Sequence, residues 1–202
     1  MIKTIIFDLG RVIVDIDRSR HFKEFARNSS KPVWFIKKYL DDSSPIVKTF
    51  EKGKITPQQF YEVVSKELNL KISFTEFKKT WGGIFTLNKD VENLIKILKR
   101  NYRLILLSNT DELHFEYIKK KYKIVNIFDA HVLSYKVGYS KPNPLIFLNA
   151  LRKAKTLPFN CLYFDDIPQF VYVARFMGIR AFQYTTTDKM VSDLNKAKVK
   201  IN

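Results

Sequence analysis

The chain has 202 residues, 46% of them hydrophobic, which suffices for one large domain or for a core with a second domain inserted. Its 36 Lys and Arg against 20 Asp and Glu give a formal charge of +16, a balance that favours acidic partners: nucleic acid, anionic lipid or phosphorylated metabolites. No apolar run reaches the roughly 18 residues of a spanning helix, the single cysteine Cys161 excludes an intrachain disulfide, and no Arg-rich patch or named nucleic-acid motif occurs.

These features point to a reducing cytoplasm, with no membrane partner and no specific nucleic acid. Met1-Ile2-Lys3 leads directly into an apolar run with no secretory pattern before it. That run, Thr4-Ile5-Ile6-Phe7, reads as a buried strand followed by Asp8 and Gly10. Asp8 stands either at the mouth of a site or as the cap of a turn. Asp15-Ile16-Asp17-Arg18 reads as a crossover out of the core. From about residue 18 to 86 the pattern is helical, with no convincing strand. Phe22, Phe25 and Ala26 form one stripe, Pro32 and Pro45 suit first helical turns, and Gly53 suits a helix end. Thr56-Pro57-Gln58-Gln59 is a capping box leading into Phe60, Val63, Val64 and Leu68 as an inner face, and Ser73-Phe74-Thr75-Glu76 is a second one leading into Phe77 and Trp81. This block reads as a small helical domain with its own aromatic core.

Asn88 can cap a helix carrying Val91, Leu94, Ile95 and Leu98. Residues 104–107 form a second strand ending in Ser108-Asn109-Thr110. A helix with Leu113, Tyr117 and Ile118 follows, and Lys119-Lys120-Lys121 complements its C-terminal dipole. Residues 128–133 read as a third strand and 138–144 as a loop holding Lys141. Pro144 opens a helix through Leu151. Residues 161–164 are a fourth strand ending in Asp165-Asp166. A helix with Val171, Ala174 and Met177 stops at Gly178, and residues 179–182 are a fifth strand before a polar helical tail. Alternating strands and helices imply an α/β fold, a Rossmann-like parallel sheet covered by helices. The first strand joins that sheet, because alone it could not bury itself. The expected division is a discontinuous core of residues 1–14 and 87–202, interrupted by a helical domain at 15–86.

Asp8, Ser108-Asn109, Lys141 and Asp165-Asp166 all follow strands or sit in a loop of this sheet, so they collect at one edge. Three carboxylates in one place repel unless a cation joins them, and oxygen-only ligands suit Mg²⁺. Lys141 and Ser108 can bind phosphoryl oxygens. Asp8 is then a candidate nucleophile for an aspartyl-phosphate intermediate.

Four motifs stand in order: Phe7-Asp8-Leu9-Gly10, Leu107-Ser108-Asn109-Thr110, Gly138-Tyr139-Ser140-Lys141-Pro142 and Phe164-Asp165-Asp166. Together they resemble the haloacid dehalogenase superfamily along nearly the whole chain. The helical insert, including Phe50-Glu51-Lys52-Gly53-Lys54-Ile55-Thr56, resembles the α-helical cap of that superfamily's first cap class. The nearest likeness is to the bacterial sugar-phosphate phosphatase branch, including the glucose-1-phosphate phosphatase type. The resemblance implies Mg²⁺-dependent hydrolysis of a small phosphorylated metabolite. Asp8 is then nucleophile and metal ligand, and Ser108 with the Asn109 backbone holds the phosphoryl group. Lys141 neutralises charge between Asp8 and phosphate. Asp166 ligates the metal directly, with Asp165 beside it or acting through water, and Gly10 serves through its backbone at the metal and beside the substrate.

Three positions depart from the resemblance. Gly10 stands where most such phosphatases carry a second Asp as general acid and base. Proton donation therefore has no assigned residue, with Asp15 and Asp17 as the nearest substitutes, and a Gly10 at positive φ would resist restoring the carboxylate. Ile167-Pro168-Gln169-Phe170 replaces an Asn after the paired acids. Arg11 either touches phosphate or is surface. Gly10 also supports a competing reading, a catalytically weak binding or regulatory protein on the same fold. A basic nucleic-acid-binding protein and a metal-free dehalogenase are weaker readings still. His21, His114 and His131 lack ligand spacing, and Cys161 lies in an apolar run.

Overall fold

Short runs of β-branched and aromatic residues, each followed by a helix, build the centre of the molecule. The computed structural model describes residues 1–201. Strands β1 (Thr4–Phe7) and β2 (Val14–Ile16) lead into helices α1 (Ser19–Arg27), α2 (Val33–Tyr39), α3 (Pro45–Glu51), α4 (Pro57–Leu68) and α5 (Phe74–Gly82), and β3 (Phe85–Leu87) leads out. Then come α6 (Lys89–Leu98), β4 (Arg103–Ser108), α7 (Glu112–Lys121), β5 (Ala130–Leu133), α8 (Ser134–Val137), α9 (Pro144–Ala154), β6 (Cys161–Asp165), α10 (Pro168–Phe176), β7 (Arg180–Gln183) and α11 (Thr187–Lys196).

Five strands form one sheet in the order β5-β4-β1-β6-β7, and every pairing is parallel. The chain moves outward from β1 to β4 and β5, then crosses back to β6 on the other side of β1. This reversal beside β1 opens a crevice at the carboxyl ends of the strands. Successive strand residues face opposite layers. Ile5, Phe7, Leu104, Leu106, Leu162 and Phe164 pack with the layer of α6, α7 and α11, while Ile6, Ile105, Leu107 and Tyr163 pack with that of α9 and α10. Burial on both faces explains why the strands read as unbroken apolar runs. The third strand starts at Ala130 rather than residue 128, because residues 123–127 wind into a 3₁₀ turn first.

The helical block has a core of its own, with Phe22, Phe25, Ile36, Phe50, Phe60, Val64, Phe77 and Trp81 buried together. Both capping boxes form: Thr56 and Gln59 exchange hydrogen bonds at the start of α4, as do Ser73 and Glu76 at α5. Val63, expected on the inner face of α4, is 44% exposed. It lies one residue away from the Phe60–Val64–Leu68 stripe.

One strand, β3, opens at Phe85 inside the range 18–86 and corrects the strand-free expectation there. β2 and β3 pair antiparallel, Val14 opposite Leu87 and Ile16 opposite Phe85, as a ribbon that carries the chain into and out of the helical block. Both strands are three residues long, too short to show a period in the sequence. Beyond the ribbon, the block touches the sheet domain at three tight places. A Cβ on Gly53 would lie 2.0 Å from the Tyr135 carbonyl oxygen, and one on Gly82 would lie 2.6 Å from the Tyr117 ring. Trp81 stacks on His114 with centroids 4.8 Å apart, and its Nε1 donates to Asp111 Oδ2 at 3.1 Å.

Candidate active site

Register brings the polar strand ends together. Phe7 pairs with Leu106 on one side and Phe164 on the other, so the next residue, Asp8, lies beside Leu107 and Asp165. The Asp8 amide donates to the Phe164 carbonyl at 2.9 Å, which fixes the chain as it leaves β1. Lys141 comes from the loop before α9 and is 4% exposed. Its Nζ donates to Asp8 Oδ1 at 2.7 Å, Asp165 Oδ2 at 2.6 Å, the Tyr163 hydroxyl at 3.2 Å and the Leu107 carbonyl at 3.3 Å. Asn109 sets the position of this lysine. Its amide Nδ2 donates to the Lys141 carbonyl at 2.9 Å, and its Oδ1 accepts from the Lys141 amide at 2.7 Å.

Asp165 is fully buried and held on all sides. Its Oδ1 accepts from the Ile167 amide at 2.9 Å, and its Oδ2 accepts from Lys141 and from Tyr163. Asp166 points to the cavity and pairs with Arg11 at 3.7 Å. Carboxylate oxygens of Asp8, Asp165 and Asp166 lie within 4.8 Å of one another. Ser108 is buried at the end of β4, its hydroxyl donating to the Asn109 carbonyl at 3.3 Å.

Electrostatics follow from this crowding. Burial lifts the Asp8 carboxyl to about 7, against the pull of Lys141 and with a further push from Asp165. Burial also disfavours the Lys141 ammonium, yet Asp8 and Asp165 together hold it above the ordinary lysine value. Asp166 is raised by burial and by Asp165, with Arg11 opposing. Three clustered carboxylates outnumber the two cations beside them, the engaged Lys141 ammonium and the Arg11 guanidinium, and the ligand atoms they offer are all oxygen. That donor set fits Mg²⁺.

The structure brings Asp8, Lys141, Asp165 and Asp166 into direct proximity. Asn109 lines the same cavity and acts on the Lys141 backbone through its side chain, a contact the motif alone does not reveal. Gly10 lines the cavity too, and it is Arg11, not Gly10, that occupies the left-handed region, at φ 56°. Asp15 and Asp17 are exposed and outside the cavity. Asp17 instead accepts from the Ser19 amide and hydroxyl at the start of α1. The cavity, about 770 Å³, is walled on its far side by Arg18, Asp42, Lys48, Glu51 and Lys52 from the helical block.

Tyr163 sits in an apolar run, which conceals it in the sequence. Its signal was the spacing: two residues before Asp165 on one strand, it shares a face with it. Glu51 was visible only as part of a motif. His114 belongs to the Trp81–Asp111 contact, His21 stacks on Trp81 at 5.4 Å, and His131 meets the Val125 carbonyl at 2.8 Å, so none joins the carboxylate cluster. Cys161 is buried and its thiol is pushed up to about 11 by burial, which makes it inert.

The family model for haloacid dehalogenase-like hydrolases matches residues 2–169. A D-ribitol-5-phosphate phosphatase from Bacteroides thetaiotaomicron is 29% identical over 192 residues, covering 91% of this chain and 92% of that protein. The crystal structure of a haloacid dehalogenase family enzyme from B. thetaiotaomicron, in complex with magnesium and inorganic phosphate, superposes with a TM-score of 0.82 at 25% identity, covering 92% of this chain and 95% of that one. The structure of a predicted haloacid dehalogenase-like family hydrolase from Porphyromonas gingivalis superposes with a TM-score of 0.83 at 23% identity, with 99% of each chain covered.

Proposed function

The chain belongs to the haloacid dehalogenase-like hydrolases, and from that premise we propose that it is a Mg²⁺-dependent phosphatase that hydrolyses a small phosphorylated polyol or sugar through an aspartyl-phosphate on Asp8. The single observation that carries this reading is Lys141, whose Nζ bridges Asp8 and Asp165 beside Asp166. A buried ammonium between two carboxylates opposes the burial that raises Asp8 and so favours its carboxylate, while cancelling part of its repulsion toward a phosphate dianion.

Asp8, Asp165, Asp166 and the Gly10 backbone would hold Mg²⁺. When bound, the ion supplies positive charge for the phosphoryl oxygens and orients them for in-line attack. Ser108 and the Asn109 backbone bind those oxygens. Asp8 attacks phosphorus, the bond to the alcohol oxygen breaks, and water then opens the acyl phosphate to release inorganic phosphate and regenerate the carboxylate. Asn109 keeps Lys141 in place, and Tyr163, whose hydroxyl burial and the nearby Asp165 and Asp8 hold neutral, donates to Asp165. The helical block acts as the cap. Its wall of Arg18, Lys48 and Lys52 faces the anionic substrate and completes a cavity of a size that suits a small ligand. The activity of the ribitol-phosphate relative favours a phosphorylated polyol or sugar.

The test is a turnover screen of phosphorylated polyols and sugars with Mg²⁺ and with chelator, on the native protein and Asp8→Asn. Mg²⁺-dependent release of phosphate that the substitution abolishes is expected. Turnover indifferent to chelator would sink the metal assignment.

A further inference from the structure

Resting on the phosphatase reading, we propose that Glu51 of the helical block is the proton donor to the leaving oxygen, in the role that Gly10 leaves open. The two positions face one another across one cavity: Asp8, Gly10 and Asp166 line it from the sheet, and Glu51 lines it from the block. Glu51 is half-buried and closes α3, where the helix dipole disfavours a carboxylate. Among the described residues no Lys or Arg lies within ion-pair distance of it, although the chain carries +16; Arg18, the guanidinium on that wall, is paired with Asp42. The charged groups around Glu51 are Arg18 before α1, Asp42 before α3, Lys48 and Lys52 on and after α3, and Asp111 from the loop after β4. Burial, with Asp111 and Asp42, pushes the Glu51 carboxyl up to about 8 against Arg18 and Lys48. A carboxylic acid therefore persists at neutral pH in the lining of the cavity that Asp8, Gly10 and Asp166 also line. The other carboxyls are unsuited. Asp15 and Asp17 lie outside the cavity, and Asp42 is tied to Arg18.

The proton balance is complete. An Asp8 oxygen bonds to phosphorus as the bond from phosphorus to the alcohol oxygen breaks. The Glu51 proton moves to that oxygen, so a neutral alcohol leaves and Glu51 becomes a carboxylate, stabilised by Lys48 and Arg18. That carboxylate accepts a proton from the water that attacks the aspartyl-phosphate, which returns Glu51 to the acid and Asp8 to the carboxylate.

The experiment measures kcat/KM, which reports the first phosphoryl transfer, for monoesters without hydroxyl groups from 4-nitrophenyl phosphate to n-alkyl phosphates, with Mg²⁺, on native protein and Glu51→Gln. The loss in Glu51→Gln grows with leaving-group pKa and reaches about 10²–10⁴-fold at the alkyl end. The decline of native alkyl turnover above about pH 8 disappears in the variant. In the Glu51→Gln background, Gly10→Asp restores alkyl turnover. A Cβ there meets only Ile16 Cδ1, at 3.0 Å, and the backbone is not left-handed. A residue that merely bound substrate hydroxyls would leave this series untouched. A uniform loss across the series, no loss, or a retained alkaline decline in Glu51→Gln overturns the proposal. Should Glu51→Gln fail to fold by circular dichroism, Glu51→Asp carries the test: a titratable alkaline decline is expected there, and its absence counts against the role. A native protein that hydrolyses no ester refutes the phosphatase reading and this one with it; active native protein with an unaltered variant refutes only this one.

Discussion

Lys141 spends its single charge on two carboxylates, so its removal leaves Asp8 and Asp165 buried against each other and against incoming phosphate. Lys141→Ala is expected to lower kcat/KM by about 10²–10³-fold, the scale of a preorganised charge at a reacting centre. A loss below about tenfold, roughly 1.4 kcal/mol, would contradict the assignment. Glu51 yields a stability prediction independent of turnover. In the folded protein its carboxyl is pushed up to about 8, above the ordinary 4.5, so the folded state holds the proton more tightly. The stability it contributes is full below about 4.5 and is lost as pH rises toward 8. Native protein should therefore lose Tm relative to Glu51→Gln between those limits; a difference constant with pH would contradict the shift. The sequence made Asp8, Lys141, Asp165 and Asp166 legible because each follows a strand or sits in a loop with few alternatives. It could not disclose Glu51, whose proton affinity depends on burial and on the nearby charges of Asp111 and Asp42.

At the scale of elements, the five sheet strands were legible because parallel strands buried on both faces are unbroken apolar runs. The α4 and α5 starts were legible because capping boxes are local. The β2–β3 ribbon was not, because its partners stand about 70 residues apart and neither strand is long enough to alternate visibly. The same ribbon, with Gly53 and the Trp81–Asp111–His114 contact, fixes the helical block above the sheet edge. Gly53 has φ +64° and faces the Tyr135 backbone, which has no side-chain freedom to yield. Gly53→Ala should therefore lower Tm and also lower kcat/KM, because Glu51 lies two residues away on the displaced segment. A variant with native Tm and native kcat/KM would show that this approach is not needed. Asp111→Ala removes the acceptor of the Trp81 indole and of the His114 amide. Each stranded donor costs about 1–3 kcal/mol, so urea unfolding should show a loss of at least that size; no loss would mean solvent reaches the contact.

For the whole molecule, a charge of +16 surrounds a site whose own sheet-side carboxylates are negative. On the proposed function that field would draw phosphorylated anions toward the crevice, where Lys48 and Lys52 also line the cavity. Raising ionic strength from about 0.01 M to about 0.15 M shortens the screening length from about 30 Å to about 8 Å, so kcat/KM should fall several-fold, through KM more than kcat. Salt-independent kcat/KM would mean that only contacts within the site attract substrate. The central claim is that phosphate passes through Asp8. The direct measurement is acid quenching of Mg²⁺-loaded protein during turnover of a phosphorylated polyol, followed by mass mapping of the peptide that contains Asp8. A phosphoryl group on Asp8 in native protein, absent in Asp8→Asn along with turnover, is the predicted result. Sustained turnover by Asp8→Asn, or phosphate on another residue, would contradict it.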